Sequence, residues 1–344
     1  MTINISRFYG RERIRLDCEV ITPMFLGDAG QNAALRTAPF KGMLRYWWRV
    51  STGGRYKSSS SLYQAEAAVF GSPDDKGGKS KVAIAVAEKM LSSAKERFAS
   101  QGFIIHKEVN RNNGRIDPLN YLAGIGLIHP TKGVQKPYFK TGGGFSLHLT
   151  APPNLITEPL MLFRLFAAIG NRSRNGWGSL QVETASSGID LSPGPAVEQA
   201  VRPFEEAFDR DYPHCLGKDE KGLLLWRTSA TYPSWENCMK KLAEIYLATR
   251  LTLNIAGQGK QERHLLGYPV TNHPVPGWQR HASALRLLVK RDDSGTYRGC
   301  ILHLPHAFSR RMWDLDTYTQ TRIWRGIHRK LDEAMQRAKL EEMI

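Results

Sequence analysis

The sequence is short of acidic residues, of paired cysteines and of long apolar runs. Its 344 residues carry 32 Asp and Glu against 48 Lys and Arg, a formal net charge of +16. A folded protein this basic is suited to a polyanion, nucleic acid or an anionic surface. The four cysteines, Cys18, Cys215, Cys238 and Cys300, form no CxxC pair. That speaks against a zinc site and a disulfide framework, and suits a reducing, cytoplasmic setting. No apolar run approaches the roughly 18 residues of a membrane span, so no membrane partner is expected. The polar, strand-like stretch Met1–Arg15 has no apolar signal core. There is no Ser/His/Asp signature, no paired carboxylates in a glycine setting and no nucleotide-cofactor fingerprint. No cofactor, metal or catalytic residue is therefore assigned.

What the sequence does have is Gly170-Asn171-Arg172-Ser173-Arg174-Asn175-Gly176-Trp177-Gly178-Ser179. Glycines let backbone N–H groups approach an anion closely, and arginine forks match phosphate. The loop holds no GKS or GKT and follows a helix, so it is neither a P-loop nor a dinucleotide fingerprint. A helix C-cap with a tight turn is the plainer reading of the same glycines. Gly170, Asn171, Arg172, Arg174, Gly176, Trp177 and Gly178 are candidate RNA contacts, with Trp177 a base-stacking ring or a core anchor. The second candidate is the Lys41/Arg45/Trp48/Arg49 face of a helix over 37–52, whose opposite stripe is Phe40, Met43, Leu44 and Trp47. Cations around an aromatic ring form platforms for single-stranded RNA, although a solvated or sandwiched helix accounts for the same residues. The Arg263-His264 and Arg280-His281 pairs complete the set, with Arg263, His264 and Arg280 as candidate RNA contacts. The glycine loop and the charged side of the first helix are expected to converge on one groove.

Alternation predicts strands at 13–21, 81–87, 103–109, 145–150 and 179–183, and helices at 37–52, 88–100 and 159–169. Glycine-, serine- and lysine-rich loops are expected at 53–61 and 72–80, and a polar turn at 110–115; 118–143 shows no periodicity. Strand, helix, two strands, strand, helix, strand is the order of a ferredoxin-like βαββαβ unit with an insertion. Ser186–Pro195 reads as a linker, giving units at 1–188 and 196–344. Beyond it come helices at 235–253 and 316–340, the latter with Ile323, Ile327, Leu331 and Met335 inward, and a hairpin of 285–290 and 299–304. The fold class is α+β.

Ala38-Pro39-Phe40-Lys41-Gly42-Met43-Leu44-Arg45-Tyr46-Trp47-Trp48-Arg49 resembles the KGxLRxWWR helix of the RAMP superfamily, and Gly170–Ser179 its GxRxRxGxGS loop. Within that superfamily both motifs, with Arg263–Pro269 and the strand around Arg286, are similar to the first subunits of Cmr (type III-B) CRISPR effectors. The resemblance implies two tandem ferredoxin-like (RRM-like) domains. It implies partnership with guide RNA near its 3′ part and/or target RNA, and with other RAMP subunits, in antiviral defence, without a ribonuclease centre. Asn175 departs from the basic residue common in such loops. Two alternatives stand beside this: a guide-processing RAMP endoribonuclease using His264 or His281, and a scaffold with little RNA affinity.

Overall fold

The structure is a computed structural model describing residues 10–72, 78–108, 111–186, 188–254, 259–270 and 273–343. Residues 1–9 of the expected N-terminal strand lie outside them, as do 73–77 of the second loop, Val109 and Asn110, and Ser187 of the linker.

The first sheet begins with β1 (Glu12–Val20), in which Ile14, Leu16, Cys18 and Val20 are buried and the residues between them face outward. Then come α1 (Thr37–Thr52), α2 (Ser59–Phe70) and β2 (Ala83–Met90). An insertion follows, built of two-residue strands and a short helix, α3 (Pro118–Ala123), before β3 (Gly144–Ala151), α4 (Pro153–Phe166) and β4 (Leu180–Ser186). The spatial order is β4-β1-β3-β2, with every neighbour antiparallel. That is the ferredoxin-like order. Both long helices cover the apolar face, with Phe40 against Phe145 and Trp47 against Phe166 at centroid distances of 5.3 and 5.7 Å.

The second sheet repeats this order from β5 (Leu225–Arg227), α5 (Trp235–Arg250), β6 (Leu285–Arg291), β7 (Tyr297–His303), α6 (Thr317–Ala334) and β8 (Gln336–Arg337). Its strands lie β6-β7-β5-β8, again all antiparallel. Ile323, Ile327, Leu331 and Met335 are buried as the 3.6-residue period requires. The Asp292–Gly295 turn joins β6 to β7, with Asp292 accepting from the Thr296 N–H at 2.9 Å.

Four local expectations need correction. The helix at 88–100 is absent: β2 runs to Met90 and Ser93–Ala94 pairs with Tyr138–Phe139. Helical spacing there had no buried surface to serve, because 87–90 are all exposed. Among the described residues of the strand at 103–109, only Ile104–Ile105 forms a ladder, with Arg115–Ile116. The loop at 53–61 gives way to α2, because Ser58 and Ser61 form a reciprocal cap at 3.1 and 3.3 Å. The last helix stops at Ala334, where the chain turns into β8.

The glycine loop joins the two sheets. Leu287 of β6 donates its N–H to the Arg174 carbonyl at 2.8 Å, and Val289 to the Ser179 hydroxyl oxygen at 3.1 Å. Thr22, after β1, donates to the Gly176 carbonyl at 2.6 Å and accepts from the Ser179 N–H at 2.9 Å. Gly178, at φ +65°, cannot be replaced cheaply: a Cβ there would fall onto the Ile169 carbonyl.

Candidate nucleic-acid interface

The structure sorts the candidate residues into three groups. The first is absorbed by the core. Trp177 is wholly buried among Phe25, Phe98 and Trp235, with ring centroids 5.3–6.0 Å apart. It anchors the loop to the second half and cannot stack a base. Gly176 and Gly178 are buried with it. Trp48 is also buried, packed on Tyr56 and Phe70. The 37–52 helix is sandwiched, which accounts for its second tryptophan.

The second group is neutralised by partners in the protein. Arg45 and Arg49 both bond Glu66 of α2, at 2.6 and 2.8 Å, and Glu66 is buried. The basic face of α1 is thus largely an intramolecular clamp. Lys41 stays half-exposed, its pKa lowered by partial burial and then by Arg45. Arg263 is buried against Gln261 and Glu108. His264 is buried between Tyr268 and Trp278, and burial first, then Arg263, pushes its pKa down to about 4. Neither Arg263 nor His264 is open to a strand, because the turn carrying them folds inward under the aromatic rings. These placements correct the expectation of an RNA-facing α1 platform and an RNA-facing Arg263-His264 pair.

The third group lies along the seam between the halves. Arg172 and Arg280 are exposed, and neither makes an ion pair among the described residues. They are near enough that Arg280 depresses the Arg172 pKa, after the desolvation of Arg172 itself. That desolvation has a visible source. The Arg172 guanidinium lies over Gly124, at the end of α3, where a Cβ would meet Nη2 at 2.7 Å. Arg174 donates to the Ser283 carbonyl at 2.6 Å and lies 5.6 Å from the Tyr46 ring centroid of α1. His281 sits beside it on Phe308, its pKa lowered to about 4 by burial first and by Arg174 next. Gly170 and Asn171 open the turn, Asn171 donating its N–H to the Phe25 carbonyl at 2.9 Å. Asn175 reaches the Leu122 carbonyl at 2.9 Å, so this position ties the loop to the insertion instead of adding charge.

The loop and α1 therefore meet, but through Tyr46 and not through Arg45 and Arg49. The sequence reading missed three contributors. Gly124 lay in the segment without periodicity. Tyr46 stood directly before two tryptophans and looked like stripe. Arg286 sits in an apolar strand, where only its being a lone charge among leucines marked it. It is 2% exposed, and its Cζ lies 5.2 Å from the ring centroids of both Tyr46 and Trp47.

Residues 17–181 match the family model described as RAMP superfamily. The curated "CRISPR system Cmr subunit Cmr1-2" of Pyrococcus furiosus is 26% identical over 188 residues, covering 48% of this chain and 93% of that protein. Among solved structures, the apo crystal structure of Cmr1 from Pyrococcus furiosus matches with a TM-score of 0.50 at 16% identity, covering 93% of this chain and 97% of that one. A chain in a cryo-EM structure titled "Type III-B Cmr-beta bound to cognate target RNA" gives a TM-score of 0.46 at 13% identity, with 93% and 100% coverage. With the β4-β1-β3-β2 order and the glycine loop closing it, residues 17–181 are similar to the RAMP superfamily.

Proposed function

We propose that the chain is a non-catalytic, RNA-binding subunit of a type III-B CRISPR effector, and that RNA lies along the seam marked by Arg172, Arg174 and Arg280. The observation that carries the reading is the Arg172–Arg280 pair. Both side chains are exposed and make no ion pair among the described residues, and a bound polyanion relieves the repulsion between such like charges. The N–H groups of Arg172, Ser173 and Arg174 donate to nothing among the described residues, and so remain for phosphate oxygens. Arg172 has a left-handed backbone, φ +59°, which turns successive N–H groups toward one side. The relatives' membership in Cmr assemblies supports the same reading, with guide or target RNA and neighbouring subunits as partners.

The open face of the first sheet is a poor rival site. It presents Arg13, Arg15, Asp17 and Glu19 from β1, charges of both signs, with Arg15 and Lys89 paired to Asp17. Ultraviolet crosslinking of the protein to single-stranded RNA, with mapping of the attached peptides, tests the proposal. Crosslinks within 170–175 and 280–286 are the expected result. Crosslinks confined to the β1 face would overturn it.

A further inference from the structure

Arg286 is a buried cation without a counter-ion. Its side chain packs on Met43, Tyr46 and Trp47 of α1, with Nη2 3.9 Å from the Met43 sulfur. Its Nε has no hydrogen-bond partner, and no carboxylate lies within ion-pair distance among the described residues. Burial and the neighbouring charge of Arg174 lower its pKa, while Tyr46 supports the charged form. Arginine nevertheless stays protonated in proteins. A buried charge is ordinarily paired, because leaving it alone costs several kcal/mol. Here the neighbouring ionisable groups are Tyr46 and a second cation, Arg174. Arg174, half-exposed, and Arg286, enclosed, flank the same Tyr46 ring at 5.6 and 5.2 Å. In the same loop as Arg174, the N–H groups of 172–174 donate to nothing among the described residues.

We propose that this junction of α1, the glycine loop and β6 is a phosphate-binding subsite. The anion sits on Arg174 and the loop N–H groups, Arg286 supplies a fixed positive charge beneath Tyr46, and occupancy completes the electrostatics of the seam. The proposal deepens the RNA-binding reading by naming one subsite and its effect on the contact between the two halves. Arg286 is a positioning and field-setting residue, since it is too enclosed to touch the ligand. Each half contributes part of the site: Arg174 and Tyr46 come before residue 190, and Arg286 from β6. Phosphate therefore binds only when the halves are docked, and stabilises that docking by mass action.

Thermal unfolding of the full chain tests it, in inorganic phosphate, in chloride of equal ionic strength, and with an oligouridine bearing no terminal phosphate. Phosphate at saturating concentration is expected to raise Tm by about 3 °C or more over chloride. Arg286→Met replaces the charge by an apolar chain of similar length. It is expected to leave Tm in chloride unchanged or higher and to abolish the phosphate shift. Arg174→Gln, at the rim, is a second probe; it gives up the bond to the Ser283 carbonyl, so its shift is read against its own Tm in chloride, and it is expected to abolish the shift as well. Equal phosphate shifts in wild type and in either variant would overturn the proposal, as would a wild type that responds to neither phosphate nor oligouridine. A phosphate shift without an oligouridine shift upholds the subsite and removes the RNA-binding reading. Loss of oligouridine affinity in Arg172→Ala/Arg280→Ala, with the phosphate shift retained, upholds both.

Discussion

Replacing Arg172 and Arg280 together by alanine isolates the electrostatic part of RNA binding. Neither side chain makes an ion pair in the described structure, and Arg280 unfavourably perturbs Arg172. Removing both therefore leaves folding stability unchanged or slightly improved. Each phosphate neutralised on a single strand contributes about 0.7 to the slope of log K against log salt. Loss of two contacts flattens that slope by about 1.4. Between 50 and 200 mM salt the wild type then loses roughly seven-fold more affinity than the variant. A filter-binding titration with single-stranded oligouridine at four salt concentrations reads this directly, and differential scanning fluorimetry supplies the stability control. The pair matters more than Arg172 with Arg174, because Arg174→Ala also cuts the 2.6 Å bond to the Ser283 carbonyl and the contact with Tyr46. An unchanged slope in the Arg172/Arg280 variant, with Tm preserved, refutes the placement of RNA on the seam.

Other expectations follow from the same geometry. Gly124→Ala pushes the Arg172 guanidinium away and strains a backbone at φ +68°, so affinity falls as in Arg172→Ala; the double variant shows no further loss in a thermodynamic cycle. Glu66→Gln strands Arg45 and Arg49 around a buried neutral amide and lowers stability by about 1–3 kcal/mol in urea unfolding, without weakening RNA binding. Trp177→Ala opens a large cavity where the halves meet and costs about 3–5 kcal/mol by the same assay. His264, His306 and His328 are buried with pKa values pushed down to about 4, 3 and 3, chiefly by burial. Their unfolded forms take up protons first, so their contribution is complete above pH ~6.5 and is lost as pH falls toward their folded values. The midpoint of urea unfolding is thus expected to fall between pH 6.5 and 4, and His264→Phe to lessen that fall.

Much of the fold was legible because its signals are local. Ile14, Leu16, Cys18 and Val20 alternate, so β1 had one buried face before any partner was known. Ile323, Ile327 and Leu331 recur at helical spacing, and all are buried in α6. The insertion was not legible, since strands of two residues have no period to detect. Its short helix is visible only through Asp117, whose carboxylate accepts from the Leu119 and Asn120 N–H groups at 2.9 and 3.0 Å.

The site divides along the same line. Residue type and charge determined that this chain is basic, that Arg45, Arg49, Arg172, Arg174, Arg263 and Arg280 are candidates for RNA contact, and that the glycine loop permits close approach. Sequence alone did not determine which arginines are free. Arg49 and Arg280 are alike as letters; one faces Glu66 from seventeen residues away, and the other has Arg172 as its neighbour from across the seam. Charge is a property of a residue, but its availability is set by what the folded chain brings within a few ångströms, where Coulomb energy and desolvation decide whether a guanidinium is satisfied or waits for a ligand.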